Sequence, residues 1–288
     1  MSPARQRLFI ATLTAAVALT ACSSDTGDRV AGPGELGHIH DLVIDEDGSL
    51  LVASHSGLYR IESVDRAVLV GSEQHDLMSM AADDLDLLAS GHPDLRLEKY
   101  RVEDHPPHLG LARSSDGGQT WTVEADLLGK HDFHALAPTD VGVYAADTEG
   151  VIMRRSPDGE WETLGALAAR DLAANPVDPS QLIATDEDGA AWASADGALT
   201  WNPLPDAPDV IEIEWIADDQ IIAASEEGTL WQTTAPNGDW SEIAIGPSDL
   251  ETLHIDNDQW WVTVHGGAIH TRTDDGESWT PVYAPPER

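Results

Sequence analysis

Ser114-Ser115-Asp116-Gly117-Gly118-Gln119-Thr120-Trp121 is the stretch on which the fold of this 288-residue chain turns. Asp-Gly supplies the corner of a tight hairpin, because glycine adopts the positive φ that such a corner demands. The flanking Ser, Thr and Asp oxygens are placed to accept hydrogen bonds from amides inside the turn. Trp then offers a large apolar surface at the hairpin base. Two near copies follow, Ser194-Ala195-Asp196-Gly197-Ala198-Leu199-Thr200-Trp201 and Arg272-Thr273-Asp274-Asp275-Gly276-Glu277-Ser278-Trp279. Worn copies stand at Ser156-Pro157-Asp158-Gly159-Glu160-Trp161 and Pro236-Asn237-Gly238-Asp239-Trp240. The tryptophans fall at 121, 161, 201, 240 and 279. A spacing of about forty residues is the length of one four-stranded blade in a radial repeat.

Strand signals fill each period. Leu42-Val43-Ile44, Leu50-Leu51-Val52-Ala53 and Gly57-Leu58-Tyr59-Arg60 are short β-rich runs parted by turn residues, Asp47-Gly48 among them. Similar sets begin near Met78, His134, Asp171, Ile211 and Thr252. With the first set, which lacks a visible octapeptide, they predict an all-β chain: a β-propeller of about six four-stranded blades over residues 38–284. A seventh blade would have to hide in 91–108, but that stretch carries three prolines and reads as loop. The octapeptides are expected to join the third and fourth strands of a blade. Ser114, Asp116, Gly118, Thr120, Trp121, Asp196, Trp201, Asp274, Gly276 and Trp279 are then structural, and their carboxylates are not catalytic.

The start of the chain reads differently. Arg5 and Arg7 precede an uncharged apolar run, residues 8–20, which is too short to span a bilayer as a permanent helix. The run ends in Leu19-Thr20-Ala21-Cys22, which resembles the bacterial lipobox. The resemblance implies that residues 1–21 are a lipoprotein signal peptide, cleaved before an acylated Cys22. Acyl chains partition into a membrane at about 0.8 kcal/mol per buried CH₂. An ordinary secretory signal with an unmodified cysteine is the alternative. Both place the mature chain outside the cytoplasm, and the first adds the membrane as a partner through the lipid. Residues 22–37, rich in Ser, Asp, Gly and Pro, read as the lipidated cysteine and a flexible tether. Cys22 is the only cysteine, so an intramolecular disulfide and any Cys-based zinc or redox motif are excluded.

Charge narrows the partners further. Beyond the two arginines of the leader stand 13 basic and 52 acidic side chains, a net of −39. Such a surface repels nucleic acid and concentrates cations. Nucleic acid is excluded as a partner.

In a propeller the first strand of each blade lines the central channel, and alternate residues share a side. Aligning the first-strand starts gives the column His40, Met78, His134, Arg170, Glu212, Glu251. Aligning the second-strand ends gives His55, Gly91 with His92 beside it, Asp147, Asp186, Glu226, His265. Both columns fall on one face. His38 lies two residues before His40, and Pro106-Pro107-His108 is placed to reach over the rim. His38, His40, His55, Met78, His92, His108, His134 and His265 are therefore the candidate metal ligands. A His and Met set without Cys favours copper, with zinc second, over magnesium or calcium. Asp41, Asp76 and Asp132 have two readings: acceptors that orient imidazoles, or fasteners between blades. His75, His105, His131, His254 and His270 read as ordinary hydrogen-bonded residues.

The segments Gly37-His38-Ile39-His40-Asp41-Leu42, Ser54-His55-Ser56-Gly57-Leu58-Tyr59-Arg60, Ala89-Ser90-Gly91-His92-Pro93-Asp94, Pro107-His108-Leu109-Gly110-Leu111 and Asp132-Phe133-His134-Ala135-Leu136, with the Asp-box octapeptides, resemble actinobacterial BNR-repeat lipoproteins. That group is usually labelled glycosyl hydrolase or sialidase-like. The resemblance covers nearly the whole mature chain and implies the propeller; the activity label follows the fold, and fold does not imply function. Sialidase chemistry wants an arginine clamp and a Tyr–Glu pair. Only Arg170 stands in the inner column, while Arg60, Arg113, Arg154, Arg155 and Arg272 fall on outer strands. Tyr59, Tyr100, Tyr144 and Tyr283 occupy neither column, so sialidase activity is not expected. Glu212 and Glu251, inner carboxylates on adjacent blades, keep open hydrolysis of a neutral glycan as acid and base. A non-catalytic protein-binding platform in the cell envelope is the third reading.

Overall fold

The computed structural model describes residues 28–286 except 46, 84, 85, 274, 275 and 277. The leader, Cys22 and Asp274 lie outside the described residues. Six four-stranded antiparallel sheets make the wheel, each from one continuous stretch of chain. Blade 1 is β1 to β4 (Ile39–Ile44, Leu50–Ser54, Gly57–Ser63, Arg66–Leu69) and blade 2 is β5 to β8 (Asp76–Asp83, Asp86–His92, Ala112–Ser114, Thr122–Val123). Blade 3 is β9 to β12 (Phe133–Thr139, Gly142–Asp147, Val151–Arg155, Trp161–Ala166) and blade 4 is β13 to β16 (Ala169–Ala174, Leu182–Asp186, Ala191–Ser194, Asn202–Pro203). Blade 5 is β17 to β20 (Glu212–Ala217, Gln220–Ala224, Thr229–Thr233, Ser241–Ile245) and blade 6 is β21 to β24 (Leu250–Asp256, Gln259–Val264, Ala268–Thr273, Thr280–Tyr283). Each inner strand packs against the next, and β21 against β1. The wheel is closed with six blades.

The long segment 91–108 is not a blade. It leads from β6 to β7 through one turn of 3-10 helix, Glu98–Tyr100. Glu73 anchors it by accepting from Lys99 Nζ at 2.6 Å and from the Tyr100 hydroxyl, and it also meets His75 Nε2 at 2.9 Å.

The octapeptide turns join third and fourth strands. Asp116 Oδ1 accepts the Thr120 amide at 2.9 Å and the Ser114 hydroxyl at 2.8 Å, while Oδ2 accepts the Thr120 hydroxyl at 2.7 Å. Asp196 repeats the set with Thr200 and Ser194 at 2.9, 2.9 and 2.7 Å. The tryptophans do more than plug their own hairpins: each seals the seam with the preceding blade. Trp121 packs with Leu58 and Val70 beside blade 1, Trp161 with Leu88 and Leu111 of the blade 2 region, and Trp201 with Tyr144 of blade 3. Trp240 joins Ile183 of blade 4, and Trp279 joins Ile222 of blade 5.

Blade 1 has no such tryptophan, and its seam with blade 6 is filled otherwise. Residues 29–37, read from the sequence as tether, are packed onto the wheel. Val30 bridges to Val68, the Gly266 amide donates to Gly37 O at 3.0 Å, and Leu36 is fully buried with Ile39, Tyr59, Trp261, Ile269 and Tyr283. An apolar Leu amid polar residues escaped a reading based on composition. Neither terminal blade borrows a strand from the other; the seam closes by side-chain packing and by isolated backbone hydrogen bonds, the Ala284 amide donating to Val64 O at 2.7 Å among them.

Candidate metal centre

At the mouth of the channel the strand pairing slips by one residue in five blades. The breaks fall between Ile39 and Asp41, Leu77 and Ser79, Phe133 and Ala135, Ala169 and Asp171, and Leu250 and Thr252. The skipped residues are His40, Met78, His134, Arg170 and Glu251, so the column aligned from the sequence is a column of β-bulges. A bulge leaves its extra residue unpaired and re-aims the side chain. In blade 5 Glu212 pairs regularly with Ala224. The second column stands at the same end, because β2, β6, β10, β14, β18 and β22 run antiparallel to their inner neighbours.

Three imidazoles gather there: His38 and His40 from the start of blade 1, and His55 from the turn after β2. One nitrogen of each lies within 4.8 Å of the others. His38 Nδ1 is 3.4 Å from His55 Nε2, and His40 Nε2 is 3.3 Å from the same atom. Carboxylates hold the outer two rings by their other nitrogens. His55 Nδ1 meets Asp76 Oδ1 at 2.7 Å, and His38 Nε2 meets Glu251 Oε1 at 3.2 Å. His40 is the least exposed of the trio, and burial, then the neighbouring His38 and His55, push its pKa down to about 3. At neutral pH it is an uncharged lone-pair donor.

The remaining candidates form an arm and a periphery. Asp76 reaches on to His92 Nδ1 at 3.1 Å, His92 Nε2 lies 3.3 Å from Asp132 Oδ2, and His134 Nε2 lies 3.4 Å from that oxygen. Hydrogen bonds to Asp132 and Asp76 outweigh desolvation and raise His92 to about 10. Burial works to raise both carboxylates, yet the imidazoles around them prevail and hold Asp76 and Asp132 below their ordinary value. His92 is thus an imidazolium bridging blades 2 and 3. His265 is exposed, with Nδ1 at 3.0 Å from Glu251 Oε1 and its ring 6.4 Å from that of His38. His108 sits 6.3 Å from His92, ring to ring, with Nδ1 buried and without a hydrogen-bond partner. Met78 packs opposite Gly91 in blade 2.

The two readings of the aspartates separate residue by residue. Asp76 and Asp132 hold imidazoles, whereas Asp41 is a fastener: its Oδ1 accepts the Leu42 amide and its Oδ2 the Met80 amide, both at 2.8 Å. Asp171 does the same between blades 4 and 5 with the Leu172 and Ile213 amides, both at 2.7 Å. The two glutamates weighed as acid and base are engaged likewise. Glu212 Oε2 accepts the Leu253 amide at 3.2 Å, and Glu251 Oε2 the Ile39 amide at 3.4 Å. Burial, first among the causes, raises Asp41 to about 7, Asp171 to about 6, and Glu212 well above its ordinary value. Of the histidines read as structural, His75 donates or accepts at both nitrogens (Glu73 and the Asp94 amide), His131 meets Asp147 at 2.9 Å, and His254 meets Glu214 at 3.5 Å.

No protein-family model matches the chain, and no curated protein does. Among solved structures, YCF48 bound to D1 peptide is similar, at 14% identity and a TM-score of 0.48, over 74% of this chain and 68% of that chain.

Proposed function

We propose that this protein binds a transition-metal ion through His38, His40 and His55 at the channel mouth, cuprous copper first and zinc second. The observation that carries the reading is the spacing of the trio. Metal–nitrogen bonds of about 2.0–2.1 Å in a tetrahedron set neighbouring nitrogens about 3.3–3.4 Å apart. The two separations from His55 Nε2, 3.4 and 3.3 Å, match that edge, and the third nitrogen pair lies within 4.8 Å. A square-planar cupric ion asks for an edge of about 2.8–3.0 Å, and so fits less well. Carboxylates behind His38 and His55 supply the usual fixing of ring orientation and tautomer. Met78 occupies the bulge of the next blade, and a thioether turned toward the trio would favour copper. Glu212 and Glu251 are engaged by backbone amides, which leaves the hydrolase reading without a favouring observation. The role that follows is capture, delivery or sensing of a metal outside the cytoplasm, by a chain held to the membrane through Cys22.

The test is titration of chelator-treated protein, residues 23–288, with copper under reducing conditions and with zinc, each against a chromophoric competitor. One tight equivalent is expected. The variant H38A/H40A/H55A loses about 100-fold or more in affinity, while H75A, outside the trio, keeps it. Equal binding by the wild type and the triple variant would sink the reading.

A further inference from the structure

The wheel encloses a central channel of about 670 Å³, walled by residues of all six inner strands. That size suits a small organic ligand, for which sites of about 300–1,000 Å³ are usual. Among the described residues, Arg170 is the one arginine or lysine in its wall. The Nε of Arg170 is buried and has no hydrogen-bond partner, and the nearest carboxylate oxygen, Glu212 Oε1, stands 3.9 Å away. Only the Nε is enclosed, the side chain as a whole being 33% exposed; a buried donor left unmade costs about 1–3 kcal/mol, so an acceptor entering the channel would be favoured there. Both oxygens of Asp171 accept backbone amides, and Glu212, whose Oε2 accepts the Leu253 amide, keeps Oε1 toward Arg170 at ion-pair but not hydrogen-bond distance.

We propose that the channel binds a small zwitterion of the amino-acid class, its carboxylate on Arg170 and its ammonium toward Glu214. Three observations converge. Arg170 occupies the bulge position of blade 4, where it faces the channel as His40 does from blade 1 across the ring. Glu214 stands in the same wall one alternation deeper on the adjacent blade, with His254 Nδ1 at 3.5 Å from its carboxylate. The net charge of −37 repels anions at a distance, which disfavours a dicarboxylate but leaves a molecule of zero net charge free to enter. This proposal goes beyond the metal reading and does not depend on it.

The experiment is a thermal-shift panel of the twenty amino acids and succinate on chelator-treated protein, followed by calorimetric titration of the best binder. One or more amino acids are expected to raise the melting temperature by about 2–4 °C at saturating concentration. Arg170→Gln and Glu214→Gln each abolish the shift, and Arg170→Lys, which keeps the charge but not the fork, retains part of it. Circular dichroism of each variant verifies that the wheel is intact, and copper titration of Arg170→Gln gives the wild-type result. The proposal is overturned if no amino acid shifts the protein, if the shift survives in Arg170→Gln, or if succinate shifts it more than every amino acid does.

Discussion

His92 shows how much one side chain can carry. It links Asp76 of its own blade to Asp132, which precedes β9 in the next, and holds a proton on each ring nitrogen for that reason. A pKa raised from 6.5 to about 10 means stabilisation that is complete below 6.5 and lost as pH climbs toward 10. The depressed carboxylates work in the other direction: their contribution is present above the ordinary value of 3.8 and lost as pH falls. The bridge is therefore strongest between about pH 4 and 6.5. Its partial exposure screens it, so His92→Gln is expected to cost about 1 kcal/mol at pH 5.5 and distinctly less at pH 9.5. Urea unfolding of both proteins at the two pH values checks this, and a gap independent of pH would show that His92 acts by packing. The aspartates behind this bridge were visible in the sequence, but not their division of labour. Asp41 and Asp76 are both acids at the opening of an inner strand, and only the course of the backbone decides which meets an amide and which an imidazole.

At the level of elements, the sequence announced the blades through their turns and hid the feature that builds the site. Asp-Gly corners and a tryptophan period are local signals, and the third-to-fourth-strand turns form where they predict. The first-strand column was also legible by alternation, because all six members stand at the mouth. A bulge has no local signature of its own, so the column showed where His40, Met78 and His134 begin but not how they are aimed. Distances between imidazoles were likewise beyond reach: eight candidates on one rim resolve into a trio, a carboxylate-bridged arm and a periphery. Gly91 offers a test of the bulge. It holds φ at +129° opposite Met78, and a Cβ there would stand 2.2 Å from Asp76 O and 2.8 Å from Met78 N. Gly48 also has a positive φ, +81°, but among the described residues nothing lies within 4 Å of its missing Cβ. Gly48→Ala is expected to cost about 1 kcal/mol, from φ alone, and Gly91→Ala about 3 kcal/mol or more. Chemical denaturation of the two variants measures both. Equal costs would mean that blade 2 is not tightly built around its bulge.

The whole molecule is a ring of acids held shut by apolar seams. Five seams are sealed by tryptophans from the third-to-fourth-strand turns, and the sixth by Leu36, Tyr59 and Tyr283. Burial at those seams has to overcome the mutual repulsion of a chain with 52 acidic and 15 basic side chains. Part of the repulsion is relieved inside the channel, where burial raises the pKa of Asp41, Asp171 and Glu212. On the outer surface the few arginine–carboxylate pairs leave most acids unmatched, and counterions relieve the rest. The screening length falls from about 30 Å at 0.01 M salt to about 4–5 Å at 0.5 M, a change from spanning several blades to spanning less than one. Ion pairs between exposed groups weaken over the same range, but each contributes at most about 1 kcal/mol. Relief of the net charge therefore wins, and the melting temperature of chelator-treated protein is expected to rise by several degrees from 10 mM to 500 mM NaCl, with choline chloride giving the same rise. A fall with salt would make the surface ion pairs dominant, and a rise with NaCl alone would point to sodium bound at discrete sites instead of a diffuse atmosphere.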